Sequence, residues 1–271
     1  MKTRIISGIV AAALIVALLV LNSFWNITVI IAVALLAALA VYEMLCGTGC
    51  IKNKAAVIIA MIYAAAMQFS YSGLFFDYTA LTLIYALIIV FFAVFDHKNF
   101  GDRQITMALA MPIILSFAFA CLESLINASG GKGIFYFVML FNFACVSDIF
   151  AYFVGSAIGK HKLAPEISPK KTIEGAVGGL LGSVLGTVII CLIFEAILKT
   201  NINMTALLIA TPFLSIFGML GDLFASAIKR NYGIKDYGNI MPGHGGVLDR
   251  TDSILLVAPT FVLFLSFVSV I

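Results

Sequence analysis

The chain has 271 residues, of which 63% are apolar and 11% are charged, and its formal net charge is +3. Globular domains carry roughly 25% charged residues, and no soluble core of this size could hide so much apolar surface. The composition therefore excludes a soluble protein and predicts a polytopic membrane protein. The fold class that we expect is an all-α helical bundle.

Apolar runs of about 17–25 residues are long enough to cross a bilayer as helices. Nine such spans are predicted in chain order: 5–22, 27–46, 55–70, 78–95, 105–126, 134–157, 176–198, 204–228 and 253–270. The first has the basic start of a signal peptide, but it lacks a small-x-small cleavage site. We therefore expect an uncleaved first helix.

The distribution of basic residues predicts the orientation of the spans. All of the 16 Lys and Arg residues except Lys132 and Lys199 fall on the side of the N-terminus. Because basic loops stay in the cytoplasm, we expect a cytoplasmic N-terminus and an external C-terminus. The two large polar loops, 158–175 and 229–252, then face the cytosol.

We expect a single integral membrane domain over residues 1–271, in which 1–130 are mainly structural and 131–271 form the catalytic half. Acidic residues in the first half lie mostly at predicted membrane boundaries, where they suit interfacial or capping roles. Glu43 is the exception, since it lies inside the end of the second span. The five cysteines follow no metal-binding or disulfide pattern, and we expect all of them to be reduced.

Two carboxylates lie within predicted spans of the second half. Asp148 is in the sixth span and Asp222 is in the eighth, each near the cytosolic end. Ionisable groups at such depth cost several kcal/mol unless they are paired or functional. Both side chains are therefore expected to face a polar cavity, with Tyr152 one helical turn from Asp148.

The seventh span and the loop before it have different expected roles. Gly178, Gly182 and Gly186 recur every fourth residue, a pattern that lets another helix approach closely, within the protomer or between protomers. The preceding loop carries Ser168, Lys170, Lys171 and Thr172. Its lysines suit either anionic lipid headgroups or the triphosphate of a nucleotide, and the composition alone leaves both open.

The stretch 226–252 concentrates polar residues in an otherwise apolar chain. Asp222 lies just before it and Asp249 near its end, and a loop that folds back can bring the two around one divalent cation. Hard oxygen ligands favour Mg²⁺, or Mn²⁺, over Zn²⁺, and a second cation fits the same chemistry. Cations that suit a polyphosphate surround this position: Lys229, Arg230, Lys235 and Arg250.

The same stretch carries a family resemblance. Its ordered pattern, Ser226-x-x-Lys229-Arg230-x₄-Lys235-Asp236-x-Gly238-x₃-Pro242-x-His244-Gly245-Gly246-x₂-Asp249-Arg250-x-Asp252, resembles the signature of phosphatidate cytidylyltransferases, also called CDP-diglyceride synthetases. The block from Asp148 through SPKKTIEG to Gly179 is similar to the same family. Together the two blocks cover about residues 140–255, and the N-terminal half matches only in being hydrophobic.

The resemblance implies a Mg²⁺-dependent transfer of CMP from CTP to phosphatidic acid, giving CDP-diacylglycerol and pyrophosphate. Asp222 and Asp249 would be the metal ligands, with Asp148 and Asp252 as second choices, and the four cations would act in catalysis. Substrate contacts are expected from Ser168, Lys170, Lys171, Thr172, Ser226, Asp236, His244, Gly245 and Gly246. For His244, a structural hydrogen bond and a phosphate contact both remain open.

The expected setting is the inner (plasma) membrane, with the active site facing the cytoplasm, lipid as a neighbour and no nucleic acid. The glycine-rich seventh span permits a homodimer. A cation-coupled transporter predicts polar residues at the bilayer midplane and inverted repeats, and neither is found. A CDP-alcohol phosphotransferase would carry a DGxxAR-type helix, which is missing. A scaffold without chemistry would leave the cluster Asp249-Arg250-x-Asp252 unexplained.

Overall fold

The computed structural model describes residues 2–98, 100–240 and 245–271, and helices dominate it. Helices α1 to α5 are Lys2–Asn22, Ile27–Tyr42, Lys54–Tyr71, Tyr78–Phe95 and Asp102–Ile126. Helices α6 to α11 are Lys132–Phe141, Ser147–Ile158, Ile173–Leu198, Met204–Asn231, Leu248–Thr251 and Ile254–Phe267. Turns of π-helix follow α2, at Glu43–Gly47, and α6, at Asn142–Val146.

Seven helical stretches of the described residues are long and apolar enough to cross a membrane. They are Ile27–Gly47, Lys54–Tyr71, Tyr78–Phe95, Asp102–Ile126, Lys132–Ile158, Ile173–Leu198 and Met204–Asn231. Two shorter apolar helices, Gly8–Asn22 and Ile254–Phe267, lie where the first and last spans were predicted. The helical, polytopic class is confirmed, while the count of nine spans stays a prediction.

The polar loop at 158–175 is largely a β-hairpin. Strand β1 (Lys162–Ala164) pairs antiparallel with β2 (Ser168–Thr172), with Lys162 opposite Thr172 and Ala164 opposite Ser168. Composition predicted only a basic loop here. The hairpin leads directly into α8, so residues 168–172 are held in place at the start of a long helix.

The chain divides into two compact units. The first comprises Met1–Asn127 and Asn231–Thr251, and the second comprises Ala128–Arg230 and Asp252–Ile271. The first boundary lies close to the predicted division at residue 130. The polar segment 231–251, however, belongs to the unit of the N-terminal helices.

In the first unit, α2, α3 and α5 pack against one another. Their contact faces carry buried alanines, such as Ala37, Ala60 and Ala118, and small residues let helix backbones approach closely. Pro112 within α5 lacks the N–H that would bond to the carbonyl of Ala108. The hydroxyl of Tyr85 donates to that carbonyl instead, so a neighbouring helix restores the lost hydrogen bond.

In the second unit, α7 packs closely along α8. A Cβ added at Gly178 would collide with Val154, and one at Gly182 would collide with Phe150. The glycine stripe of α8 therefore packs against α7 of the same protomer.

Hydrogen bonds between helices add to this packing in the second unit. The Asn142 amide donates to the Ser183 carbonyl at 2.9 Å and to Thr187 Oγ1 at 3.1 Å. Ser215 Oγ donates to Ser183 Oγ at 2.9 Å. Such bonds between buried polar side chains hold membrane helices together where no hydrophobic driving force acts.

Candidate active site

A cavity of about 630 Å³ lies in the second unit. Helix α7, the β-hairpin, the start of α8 and the middle of α9 form its walls. Its polar lining includes Asp148, Tyr152, Ser168, Lys170, Lys171 and Asp222. Both intramembrane carboxylates thus face one polar cavity, as their depth in the spans predicted.

Lys171 is the central charge of this cavity. Its ammonium lies 2.6 Å from Asp222 Oδ2 and 3.9 Å from Asp148 Oδ1. Strand β2 thereby places a cation between carboxylates from two different helices, α7 and α9. At such distances the attraction offsets much of the cost of desolvating the three charges.

In each of the two carboxylates, the oxygen that does not pair with Lys171 accepts a hydrogen bond from a serine hydroxyl. Ser253 Oγ donates to Asp148 Oδ2 at 3.2 Å, and Ser226 Oγ donates to Asp222 Oδ1 at 3.4 Å. Ser226 was predicted to contact substrate, and here it orients a carboxylate one helical turn away.

A third carboxylate, Asp252, belongs to the same electrostatic cluster. Burial raises its pKa, the nearby Asp222 and Asp148 carboxylates raise it further, and the Lys229 ammonium lowers it. Lys229 itself is buried, with 8% exposure, in the last turn of α9. Three carboxylates and two lysines therefore share one small region of this unit.

Thr172 positions the lysine-bearing strand. It is the N-cap of α8, and its Oγ1 accepts the Gly175 N–H at 3.1 Å. Gly155, Gly159 and Gly175 surround this hydroxyl so closely that a Cβ at any of them would collide with it. Thr172 was predicted to bind substrate, and this contact gives it a structural role as well.

We expect Thr172→Val to destabilise the protein, because it keeps the side-chain shape but removes the acceptor for an orphan helix N–H. Loss of an N-cap oxygen costs about 1 kcal/mol. A thermal unfolding scan in detergent would measure the effect as a lower unfolding temperature. Thr172→Ser, which keeps the acceptor, is the matched control, and equal unfolding temperatures for both variants would contradict the capping role.

Glu174 closes the base of the hairpin. Its carboxylate accepts the backbone N–H groups of Lys160 and His161 at 3.1–3.2 Å, and it lies 2.6 Å from His161 Nδ1. Glu174 was not among the predicted site residues. Acidic side chains in the first turn of a helix interact favourably with the helix dipole. The position of Glu174 in that turn could have identified it as a structural residue.

The remaining predicted cations are on the surface of their units. Arg230 is exposed, and its Nε donates to the Ile167 carbonyl beside β2 at 3.3 Å. Lys170 is exposed at the cavity lining. In the first unit, the cationic side chains of Lys235 and Arg250 are also exposed, and so is the carboxylate of Asp236.

Asp249 lies in the first unit, where it is buried at 7% exposure. Its Oδ2 accepts the Tyr237 N–H at 2.9 Å and the Gly246 N–H at 3.0 Å. Gly245 has a φ of +87°, a left-handed conformation that favours glycine. The Gly246 N–H, predicted to face phosphate, is thus directed to Asp249, and His244 lies outside the described residues.

Asp222 and Asp249 belong to different units, so their sharing of one metal ion stays a prediction. Within the described ranges, no group of three or more His, Cys, Asp or Glu side chains is arranged to hold a metal ion. The donor atoms around Asp148 and Asp222 are nonetheless hard oxygens, the kind that Mg²⁺ prefers. In this structure the positive charge between them is the Lys171 ammonium.

Comparison with known proteins places this geometry in a family. The model of the cytidylyltransferase family matches residues 2–268. A phosphatidate cytidylyltransferase of Bacillus subtilis is 50% identical over 127 residues, which is 45% of each chain. Those of Staphylococcus haemolyticus and Staphylococcus aureus are each 32% identical, over 262 and 265 residues, and each alignment covers 96% of both chains. A match along almost the whole sequence shows that this chain belongs to the cytidylyltransferase family.

Proposed function

We propose that the chain transfers the cytidylyl group of CTP to phosphatidate, giving CDP-diacylglycerol and pyrophosphate. Relatives that align with 96% of the chain carry the name of this activity. The observation that carries the proposal within the structure is the cavity of the second unit, where Lys171 lies between two carboxylates. Nucleotidyl transfer from a polyphosphate needs carboxylates to bind a metal ion and cationic side chains to neutralise phosphate charge. This unit carries both.

The chemistry is an exchange of one P–O bond for another. A phosphate oxygen of phosphatidate attacks the α-phosphorus of CTP, and the bond from that phosphorus to the bridging oxygen breaks. Pyrophosphate leaves with the electron pair. Because the attacking phosphate is already anionic near neutral pH, the step needs no dedicated base.

In this step the chain's side chains bind the substrate phosphates and neutralise the negative charge of the leaving pyrophosphate. We assign contacts with the phosphate groups to Lys170 and Lys171 of β2. Lys229, Arg230, Lys235 and Arg250 are proposed to neutralise the leaving pyrophosphate. Fixed cations aimed at developing charge usually supply the largest share of such catalysis.

We further propose that Mg²⁺ takes part, with Mn²⁺ as a substitute and a second cation allowed. Asp222 and Asp249 would hold it, and Asp148 and Asp252 are the second choices. When bound, such an ion polarises phosphoryl oxygens and offsets their negative charge. Lys171, which pairs with Asp222 in this structure, would contact the substrate phosphates beside it.

The membrane setting follows from the distribution of charge. We propose nine spans, with the N-terminus in the cytoplasm, the C-terminus outside and the reaction at the cytosolic face of the plasma membrane. CTP would arrive from the cytosol and phosphatidate from the adjoining leaflet. A homodimer stays a prediction. Within the protomer, α7 packs on Gly178 and Gly182 of the α8 stripe.

Radiolabelled CTP supplied to the purified protein in phosphatidic acid vesicles tests this function. We expect labelled CDP-diacylglycerol to form, and EDTA to lower its rate by at least about 100-fold, since a metal ion supplies several kcal/mol of charge stabilisation. Added Mg²⁺ should restore the rate. No labelled lipid with phosphatidic acid would contradict the function, while full activity in EDTA would contradict only the metal.

A further inference from the structure

Glu43 is a buried carboxylate that the chemistry above does not use. It begins the turn of π-helix that ends α2, and only 2% of its surface is exposed. A carboxylate so deeply buried in a membrane helix is costly unless it is well satisfied. The structure shows what satisfies it.

Both oxygens of Glu43 bind backbone of the segment that carries Asp249. Oε1 accepts the Val247 N–H at 3.0 Å, and Oε2 accepts the Leu248 N–H at 2.8 Å. Buried polar groups are stable only when hydrogen-bonded, and both oxygens of this side chain have partners. The two hydrogen bonds join α2 to a segment more than 200 residues later in the chain.

The backbone around Glu43 is shaped to this carboxylate. A Cβ at Gly238 or at Gly246 would collide with it. A Cβ at Gly47, one turn further along, would collide with the Tyr237 carbonyl. Glycines on both sides therefore let the segment close around one side chain.

Asp249 completes the arrangement from within the segment. Its Oδ2 accepts N–H groups from Tyr237 and Gly246, while Glu43 accepts the next two N–H groups along, at residues 247 and 248. Four backbone donors thus converge on two carboxylates. The exposed Arg250 follows directly.

We propose that Glu43 is a positioning residue for the cytidylyl transfer, which it serves by holding the segment Gly245–Thr251 in the conformation that presents Asp249 and Arg250. This inference rests on the proposed function, which assigns those two residues to the reaction. Glu43 does not touch substrate in this role, because the backbone N–H groups occupy both of its oxygens. A residue of the N-terminal helices would thereby affect turnover without contacting substrate.

Glu43→Gln is the informative variant, since it keeps the size of the side chain. The amide can accept only one of the two N–H groups, and its own NH₂ would face the other. We expect kcat to fall by about 10- to 100-fold, the range found when groups that orient a functional site are altered. Hydrogen exchange should show faster exchange at residues 245–251, while the amides of α3 and α5 keep their protection.

Glu123→Gln is the matched control. Glu123 is equally buried in the same unit, on α5, and its Oε1 accepts from the Asn127 side chain. This variant should keep turnover within about twofold while removing a comparable buried charge. Gly238→Ala, which pushes a methyl group against the Glu43 carboxylate, should reproduce the loss in kcat without removing the charge.

The outcomes separate the two ideas. An inactive wild type contradicts the proposed function itself. An active wild type with normal kcat in Glu43→Gln, despite faster exchange at 245–251, overturns the positioning role. Global unfolding of both Glu43→Gln and Gly238→Ala would also overturn it, in favour of a purely structural role.

Discussion

Replacing Asp222 by Asn is expected to lower turnover by at least about 100-fold, while the protein still inserts into membranes and can be purified. Changing groups that merely orient a metal ligand costs about 10–100-fold, and a direct ligand should cost no less. Asn keeps the shape of the side chain but loses the charge that pairs with Lys171 at 2.6 Å. Initial rates with radiolabelled CTP over a range of Mg²⁺ concentrations would measure both the loss and any shift in the metal requirement.

Glu166→Gln is the control for this experiment. Glu166 is an exposed acidic residue at the turn of the β-hairpin that carries Lys171. We place it in no binding or catalytic role. Its loss should leave turnover within about twofold. Near-normal activity of Asp222→Asn would remove Asp222 from the metal site.

Lys171→Gln is the second replacement with a large expected effect, about 100-fold in turnover. It removes the ammonium that lies 2.6 Å from Asp222 and 3.9 Å from Asp148. Loss of one preorganised group that stabilises transition-state charge costs about 10²–10³-fold. The same assay measures the effect, and the KM for CTP separates binding from chemistry.

Two further variants define what Lys171 does. Lys171→Arg keeps the charge, but its planar guanidinium does not replace a compact ammonium, so we expect partial activity. Lys160→Gln changes an exposed lysine at the base of the hairpin and should be neutral. If Lys171→Gln and Lys160→Gln had equal turnover, the central role of Lys171 would be wrong.

The membrane helices were predictable because hydropathy and length are local properties. All nine predicted spans coincide with helices, although only seven of them pass a strict criterion of length and composition. Asp148 and Asp222 were also predictable as partners of a polar cavity, since a carboxylate in an apolar helix requires one. The choice of partner was not predictable, because Lys171 reaches them only through the β-hairpin.

The contacts add roles that residue type alone does not predict. Thr172 was expected at the substrate because a hydroxyl beside lysines suits phosphate, and its Oγ1 also caps α8. The glycine stripe of α8 was left open between two uses, and Val154 and Phe150 occupy it within the protomer. In each case the residue type was informative, but its neighbour came from another element.

Membrane class, helix positions and family motifs could be predicted from the residues alone, because each depends on short stretches of the chain. Which charges meet became clear only from the folded chain. Lys171 pairs with helices on either side of it in sequence, and Glu43 binds backbone more than 200 residues away. Helix packing brings such distant groups together, and no local pattern of hydropathy or charge encodes the partner.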